Sequence, residues 1–482
     1  MPKKTILGQP AGLATLFLTE MWERFTYYGM RAVLILYLVN ASGGFGLDDR
    51  TASAVYGLYI AGTYVFSLLG GFIADRLVGA QRAVVAGGVL IVIGNALLTL
   101  DSRRCFFLGL MIIVLGVGLL KPNISAMVAG LYPEGGARRD AGFTIFYMGI
   151  SVGALLGSLV VPVVAARYGW RYGFVLPVIG MLCGLIQFTL TRKWLGQSGL
   201  REVPRPGGAW WTLSLFIALL VAVAGVAVSG KVDIDPARLS QAATWAMGAL
   251  AVAYFVFLLA FAGLNRDERH RVWVMIALFL AYATFYAGFE QGGASMNLFA
   301  ERYTDRNLFG WELPAGVLQG TTALVTILFA PIFAALWTLL GRRGKDPASP
   351  GKFALGLALL SGGFLVMYGA SQWVVGGHKV LPTWLLATYV LQEWGDLCLS
   401  PVGLSSMTKL APARFIGQVM GVWFLALALG NNLAGQLSAE YDANDLGTLP
   451  GLFMKIFLFS MLAAAVMLLF SPWLKRLMAG VK

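Results

Sequence analysis

The sequence predicts an all-α polytopic membrane protein, and three observations carry that reading. Of 482 residues, 58% are hydrophobic and 12% charged, against about 25% charged in a soluble domain. Apolar runs of roughly 20 residues, long enough to cross a hydrocarbon core as a helix, recur along the whole chain. These runs are too long for barrel strands and lack strand-scale alternation, which leaves helices as the spanning form.

Fourteen spans are expected, near residues 13–40, 52–74, 83–100, 105–129, 142–164, 172–190, 210–230, 241–263, 272–296, 315–340, 353–374, 383–408, 415–437 and 450–473. An even number puts both termini on one side. Arg76, Arg82, Arg138, Arg139, the cations of 192–205, 266–271 and 342–352, Lys409 and Arg414 fall in alternate connections, on the side of Lys3, Lys4, Lys475, Arg476 and Lys482. The opposite connections hold acids such as Asp48, Asp49, Glu301, Asp305, Glu440, Asp442 and Asp445. The positive-inside rule then places both termini in the cytoplasm. Topology also accounts for the net charge of +13, and no nucleic-acid partner is expected. Cys105, Cys183 and Cys398 lie in or beside apolar runs. They suggest packing, with neither disulfide framework nor metal site, and no cofactor is expected. The first apolar segment is too long and too charged for a cleavable signal peptide.

Six spans end at a basic linker containing Pro204, Pro206, Gly207 and Gly208. Two spans with uncharged cores follow and suit a peripheral, lipid-facing hairpin. Six more complete a 6 + 2 + 6 plan that suits two transporter halves moving about a midplane site. The expected division is an N-terminal six-helix bundle over 1–200, the linker and hairpin over 201–268, and a C-terminal six-helix bundle over 269–482.

The first span is the anomaly. Glu20, Glu23, Arg24 and Arg31 lie inside it, and each charge at the bilayer centre costs ~2.5–3.5 kcal/mol on insertion scales. Four such groups need mutual pairing, an aqueous cavity and a function. In the second span Tyr59 reads as packing and Tyr64 as a candidate for a polar route. Gly70 and Gly71 permit close helix packing. Asp75 and Arg76 read as a loop-edge charge pair with a structural or gating role. In the fourth span Lys121 precedes Pro122. It reads either as an interfacial lysine that snorkels or, because Ile124 through Gly130 continue the span, as a buried lysine that titrates or binds a carboxylate. Asn123 either supports a bent backbone or contacts solute. The fifth span offers Tyr147 to a cavity. Ser151 either joins it or bonds its own helix backbone.

The second half supplies a matching polar set. Glu290 sits in what reads as one long apolar helix and is a candidate for proton coupling or an amine contact; Gln291 and Ser295 are weaker ones. Gln319 and Thr322 either face a path or, for the threonine, close a backbone hydrogen bond. Glu393 and Asp396, three residues apart, share a helix face and could share one proton. Pro401 suggests a broken helix whose bend permits gating. Trp423 is either packing or a cavity wall. No nucleophile or metal constellation accompanies these acids, so an enzyme is not expected. His270 and His378 fall in connections, which argues against a buried histidine relay.

The stretch Glu20-Met-Trp-Glu23-Arg24-Phe-Thr-Tyr27-Tyr28 resembles the ExxERFxYY signature of the proton-dependent oligopeptide transporter family, within the major facilitator superfamily. Gly-Gly-Phe-Ile-Ala-Asp75, Lys121-Pro-Asn123, Glu290-Gln-Gly292 and Ser400-Pro-Val-Gly-Leu404 also fit, and the resemblance runs from the first span to about Trp473. It implies a major facilitator fold of 12 core helices plus a two-helix insertion, as bacterial members have. Glu20, Glu23, Arg24 and Lys121 would link proton binding to transport. Arg31, Tyr28, Tyr64 and Lys121 would surround the substrate carboxylate, with Tyr27 beside them. Glu290 would serve coupling and the outer gate with Arg31 as partner, Asp396 would meet the peptide amino terminus, and Trp423 would line a side-chain pocket. Tyr147, Ser151 and Thr322 complete the expected substrate set; Asp75, Glu393 and Pro401 complete the gating set.

Three positions depart from the family pattern: Ser151 and Thr322 replace asparagines, and Asp396 is one methylene shorter than the usual glutamate. These changes suit a bulkier or modified peptide, or ordinary peptides held through water. The expectation is a proton-coupled symporter importing di- and tripeptides or modified peptides by alternating access, in the bacterial inner membrane. Its partners are protons, small peptides and membrane lipid, and it works as a monomer. The alternative is a proton-coupled or facilitated transporter of another small anionic or zwitterionic metabolite.

Overall fold

The computed structural model describes residues 5, 6, 8–132, 136–200, 235–308, 310–440 and 446–478. Among them run thirteen helices of membrane-spanning length: α1 Ala11–Val39, α2 Asp49–Ile73, α3 Ala80–Leu98, α4 Arg103–Gly130, α5 Gly136–Tyr168, α6 Trp170–Thr191, α7 Pro236–Val256, α8 Arg266–Phe289, α10 Gly320–Arg342, α11 Ser349–Val375, α12 Thr383–Leu410, α13 Ile416–Ser438 and α14 Thr448–Leu477. A short helix, α9 Ser295–Tyr303, and two small hairpins, Thr5–Ile6 with Gln9–Pro10 and Asn307–Leu308 with Trp311–Glu312, complete the elements. Each expected span thus has its helix except that near 210–230, which lies outside the described residues, as do the linker prolines and glycines at 204–208. Among the described residues, eleven helices have both the length and the apolar composition to cross a membrane. Neither α1 nor α12 is among them, and these are the helices bearing Glu20, Glu23, Arg24 and Arg31, and Glu393 and Asp396. The molecule is an all-α multi-pass membrane protein.

The chain forms two compact units, Met1–Phe45 with Gly62–Asp235, and Gly46–Ala61 with Pro236–Lys482. In the first, α1 packs on α5 and α6, and α3 packs on α4. Small residues set how closely helices approach without a strong hydrophobic drive in lipid. A Cβ at Gly70 would fall on the Gly118 carbonyl oxygen, so α2 and α4 cross backbone to backbone there. Asn123 Nδ2 fastens the crossing by donating to Gly70 O at 3.2 Å and to Leu119 O at 2.7 Å. This gives Asn123 a helix-joining role on α4. Pro122 does not end α4, which runs unbroken to Gly130.

In the second unit the first half of α2 packs with C-terminal helices. A Cβ at Gly435 would come within 2.6 Å of Ser53 O, and Ser53 Oγ donates to Ser438 Oγ at 3.0 Å. Asp49, at the start of α2, takes both terminal nitrogens of Arg302 on α9, each at 2.7 Å. Helix α8 begins with a capping box, Asn265 and Glu268 each bonding the other's backbone N–H. His270 therefore lies within the opening turns of α8, not in a connection. Helix α7, from the expected insertion, joins this unit through a polar ladder. Asn432 Nδ2 donates to Ser240 O at 2.7 Å and Thr244 Oγ1 at 2.8 Å, and Gln436 Nε2 donates to Thr244 Oγ1 at 2.7 Å.

Candidate functional site

The first cluster is built by one turn of α1. Glu20 and Arg24 are four residues apart, which puts them on one helix face, and Glu23 adjoins. Arg24 Nε donates to Glu20 Oε1 at 2.7 Å and lies 3.0 Å from Glu23 Oε2. All three side chains are buried. Among the described residues, Glu20 Oε2 and both Glu23 oxygens have no hydrogen-bond partner, so one guanidinium balances two carboxylates that remain open to further donors or protons. Such a group persists in a low-dielectric interior only because the charges are paired. Lys121 of α4 is near enough to Glu23 for the charges to interact. Its Nζ sits 3.9 Å from the centre of the Tyr64 ring, a cation–π contact. Arg31 lies over Tyr28 at 5.6 Å and Arg24 over Tyr27 at 5.8 Å. The N-terminal unit thus gathers Glu20, Glu23, Arg24, Tyr27 and Lys121 around one locus, and Tyr64 joins through the lysine. Tyr147 of α5 is more than half exposed. Ser151 Oγ donates to Tyr147 O at 3.5 Å, closing on its own helix.

The second cluster is organised by a break in helix. Glu290 does not lie in a long uninterrupted helix, as the apolar run suggested. Helix α8 ends at Phe289, a 3-10 turn occupies Glu290–Gly293, and α9 restarts at Ser295. Gly292 and Gly293 give up the helical register there. Backbone released at membrane depth must be satisfied by protein. Tyr389 OH does so by donating to Gly292 O at 3.3 Å, and the Gln291 side chain fastens the break to α13, its Nε2 donating to Ala434 O at 2.9 Å. Glu290 is buried and takes a hydrogen bond from Tyr56 OH at 3.4 Å.

Asp396 of α12 is half-buried and accepts at Oδ1 from Tyr286 OH at 3.1 Å and from Ser400 Oγ. Tyr282 OH and Tyr286 OH lie 3.2 and 3.3 Å from the same serine hydroxyl. The Tyr282 ring stacks on Trp423 at 3.8 Å between centres. Trp423 is itself buried and lies where a Cβ on Gly403 would intrude. Glu393 goes elsewhere: its Oε1 accepts from Thr326 Oγ1 of α10. The two acids of α12 therefore take different hydroxyls, Thr326 for Glu393 and Tyr286 with Ser400 for Asp396. Thr322 Oγ1 donates to Gln319 O at 2.9 Å, the local backbone bond. Pro401 does not break its helix, since α12 runs through it from Thr383 to Leu410. The Asp75 and Arg76 side chains lie outside the described residues, although their backbone forms part of a π turn, Ala74–Val78. Sequence reasoning missed Tyr56, Tyr282, Tyr286 and Thr326 as partners of these acids. The signal was a hydroxyl on a helix face, which many apolar helices also carry.

Charged groups paired inside helices of spanning length, on a two-unit helical frame, define a membrane transporter. Residues 81–449 match the POT family. The protein named peptide transporter YePEPT from Yersinia enterocolitica is 39% identical over 493 residues, covering 98% of this chain and 96% of its own. The di-/tripeptide transporter of Lactococcus lactis subsp. cremoris is 36% identical over 467 residues, covering 92% of this chain and 91% of its own. A crystal structure titled peptide transporter POT in complex with sulfate superposes with a TM-score of 0.92 at 37% identity, over 100% of this chain and 98% of that one. The chain belongs to the POT family; it is a transporter of major facilitator type and not an enzyme.

Proposed function

We propose that this chain is a proton-coupled symporter that imports di- and tripeptides or modified peptides by alternating access, across a bacterial inner membrane with both termini in the cytoplasm. The observation that carries the reading is the buried Glu20–Arg24–Glu23 cluster with open carboxylate oxygens on a spanning helix. A proton arriving on Glu20 or Glu23 weakens the hold on Arg24 and on the Lys121 charge. Lys121, with Arg31, Tyr28 and Tyr64, then takes the substrate carboxylate, and Tyr27 keeps Arg24 aligned. Loss of the proton toward the cytoplasm restores the ion pairs and expels the carboxylate. An inward electrical gradient assists, since one charge is worth ~2.3 kcal/mol per 100 mV.

In the same reading Asp396 receives the substrate ammonium and Trp423 bounds a side-chain pocket. Tyr147, Ser151 and Thr322 contribute hydroxyls or bound water to the peptide. Glu290, with its Tyr56 hydroxyl, serves coupling and gating, and Asp75, Glu393 and Pro401 belong to the moving parts. The names of the relatives support peptides as the substrate class.

Purified protein in proteoliposomes tests the reading. With an inward proton gradient, labelled dialanine accumulates above its external concentration, and collapse of the gradient releases the excess. Equilibration without accumulation, whatever the gradient, excludes the proton-coupled part. Uptake of other small zwitterions with no peptide uptake excludes the peptide part.

A further inference from the structure

Asp396 is held in a way that the proposed role of an ammonium acceptor does not require, and that detail carries an inference of its own. The Tyr286 hydroxyl and the Ser400 hydroxyl both donate to one oxygen, Oδ1. Tyr282 OH closes the group, 3.2 Å from Ser400 Oγ. The Tyr282 ring is in turn fixed by its stack on Trp423. The four side chains come from α8, α12 and α13, so the carboxylate is oriented by three helices at once. A short aspartate has two side-chain torsions, and two donors on Oδ1 fix both. Oδ2 lies outside that network, on a residue that remains half-buried. A carboxylate held at one oxygen, with the other outside the network, suits a primary ammonium through a charge-assisted hydrogen bond.

We propose that Tyr286 and Ser400 are specificity-determining residues: they clamp Oδ1 of Asp396 so that Oδ2 is presented to a free ammonium, and they thereby set the preference for substrates with an unblocked amino end. This rests on the peptide-transport reading for the identity of the ligand. The clamp itself requires only an ammonium-bearing solute. Without it the carboxylate samples other rotamers, and an ordered charge-assisted contact is replaced by a mobile one. Losing such a contact reduces affinity at least about tenfold.

Competition binding in detergent and uptake in proteoliposomes are measured in parallel, with dialanine and N-acetyl-dialanine as probes. Wild-type protein binds dialanine at least about tenfold more tightly than the blocked form. In Tyr286→Phe and in Ser400→Ala that ratio falls toward one, through weaker dialanine binding with N-acetyl-dialanine unchanged. Ser400→Thr, which keeps a hydroxyl, retains the ratio. General damage to the fold lowers both ligands together and leaves the ratio intact, so an unchanged ratio in both variants overturns the clamp. Equal binding of the two ligands by wild-type protein overturns the ammonium site itself. Uptake decides separately: discrimination in binding without gradient-driven uptake removes the symport reading and leaves the clamp standing.

Discussion

One guanidinium facing two carboxylates is the residue-scale fact on which the rest depends. Arg24 is buried, pairs Glu20 at 2.7 Å and Glu23 at 3.0 Å, and cannot be deprotonated in a protein. Removing one partner of a buried ion pair costs about 3–5 kcal/mol, because uncompensated charge is left inside. Arg24→Leu is therefore expected to lower the melting temperature in detergent sharply. Adding Glu20→Gln and Glu23→Gln to it restores most of the loss. A triple variant no more stable than Arg24→Leu alone would show that the cost lies in lost packing and not in stranded charge. Much of this cluster was legible in the sequence, because four charges within an apolar run have few tolerable arrangements. The hydroxyl partners were not. Ser400 stands four residues after Asp396 on α12, a spacing that does put the two on one face, but nothing in the sequence indicates that Tyr286 of α8 reaches the same Oδ1, since that contact is made only by tertiary packing. Glu393 and Asp396 show the converse: their spacing was read correctly as helical neighbours, yet Thr326 from another helix claimed Glu393.

Apolar runs locate helices well, and the described spans appear within several residues of their expected places. They do not locate the interruption at Glu290–Gly293, because two glycines in an apolar run read equally as a packing face. Conversely, Pro122 and Pro401 lie inside continuous helices, since the lost N–H of a proline costs one hydrogen bond that neighbouring groups can absorb. The brace between α7 and α13 was equally hidden, because Asn432 and Gln436 acquire meaning only beside Ser240 and Thr244. Interhelical hydrogen bonds in membranes average about 0.6 kcal/mol. Asn432→Leu with Gln436→Leu is thus expected to lower thermal stability modestly while leaving the dialanine half-saturation concentration unchanged. A shift of that constant, at unchanged stability, would reassign α7 from brace to substrate path. The pair of Asp49 and Arg302 offers a sharper element test. Asp49→Arg alone and Arg302→Asp alone should each reduce transport, and the double exchange should recover it, as expected for a paired charge whose sign matters less than its complement. Failure of the exchange to recover would mean that one of the two charges acts on something other than its partner.

For the whole molecule, hydropathy conveyed the helical class, and the alternation of basic and acidic connections gives an expected orientation. That orientation is tested by labelling. With the three native cysteines replaced, Lys345→Cys should react with a membrane-impermeant thiol reagent only from the cytoplasmic side, and Leu308→Cys only from the outside. The reverse pattern would invert the topology. The division into two units, with the early turns of α2 grouped with the C-terminal one, was not visible from hydropathy, which treats α2 as a single span. What hydropathy does convey is that charge placed inside a span at an insertion cost has to be used. The use proposed for it is the coupling of a proton to solute by the acids of α1. The decisive measurement compares wild-type protein and Glu20→Gln in proteoliposomes, reading gradient-driven accumulation of dialanine and gradient-free exchange of labelled for unlabelled dialanine. Glu20→Gln is expected to abolish accumulation and keep exchange; accumulation at the wild-type level in Glu20→Gln would refute proton coupling through Glu20.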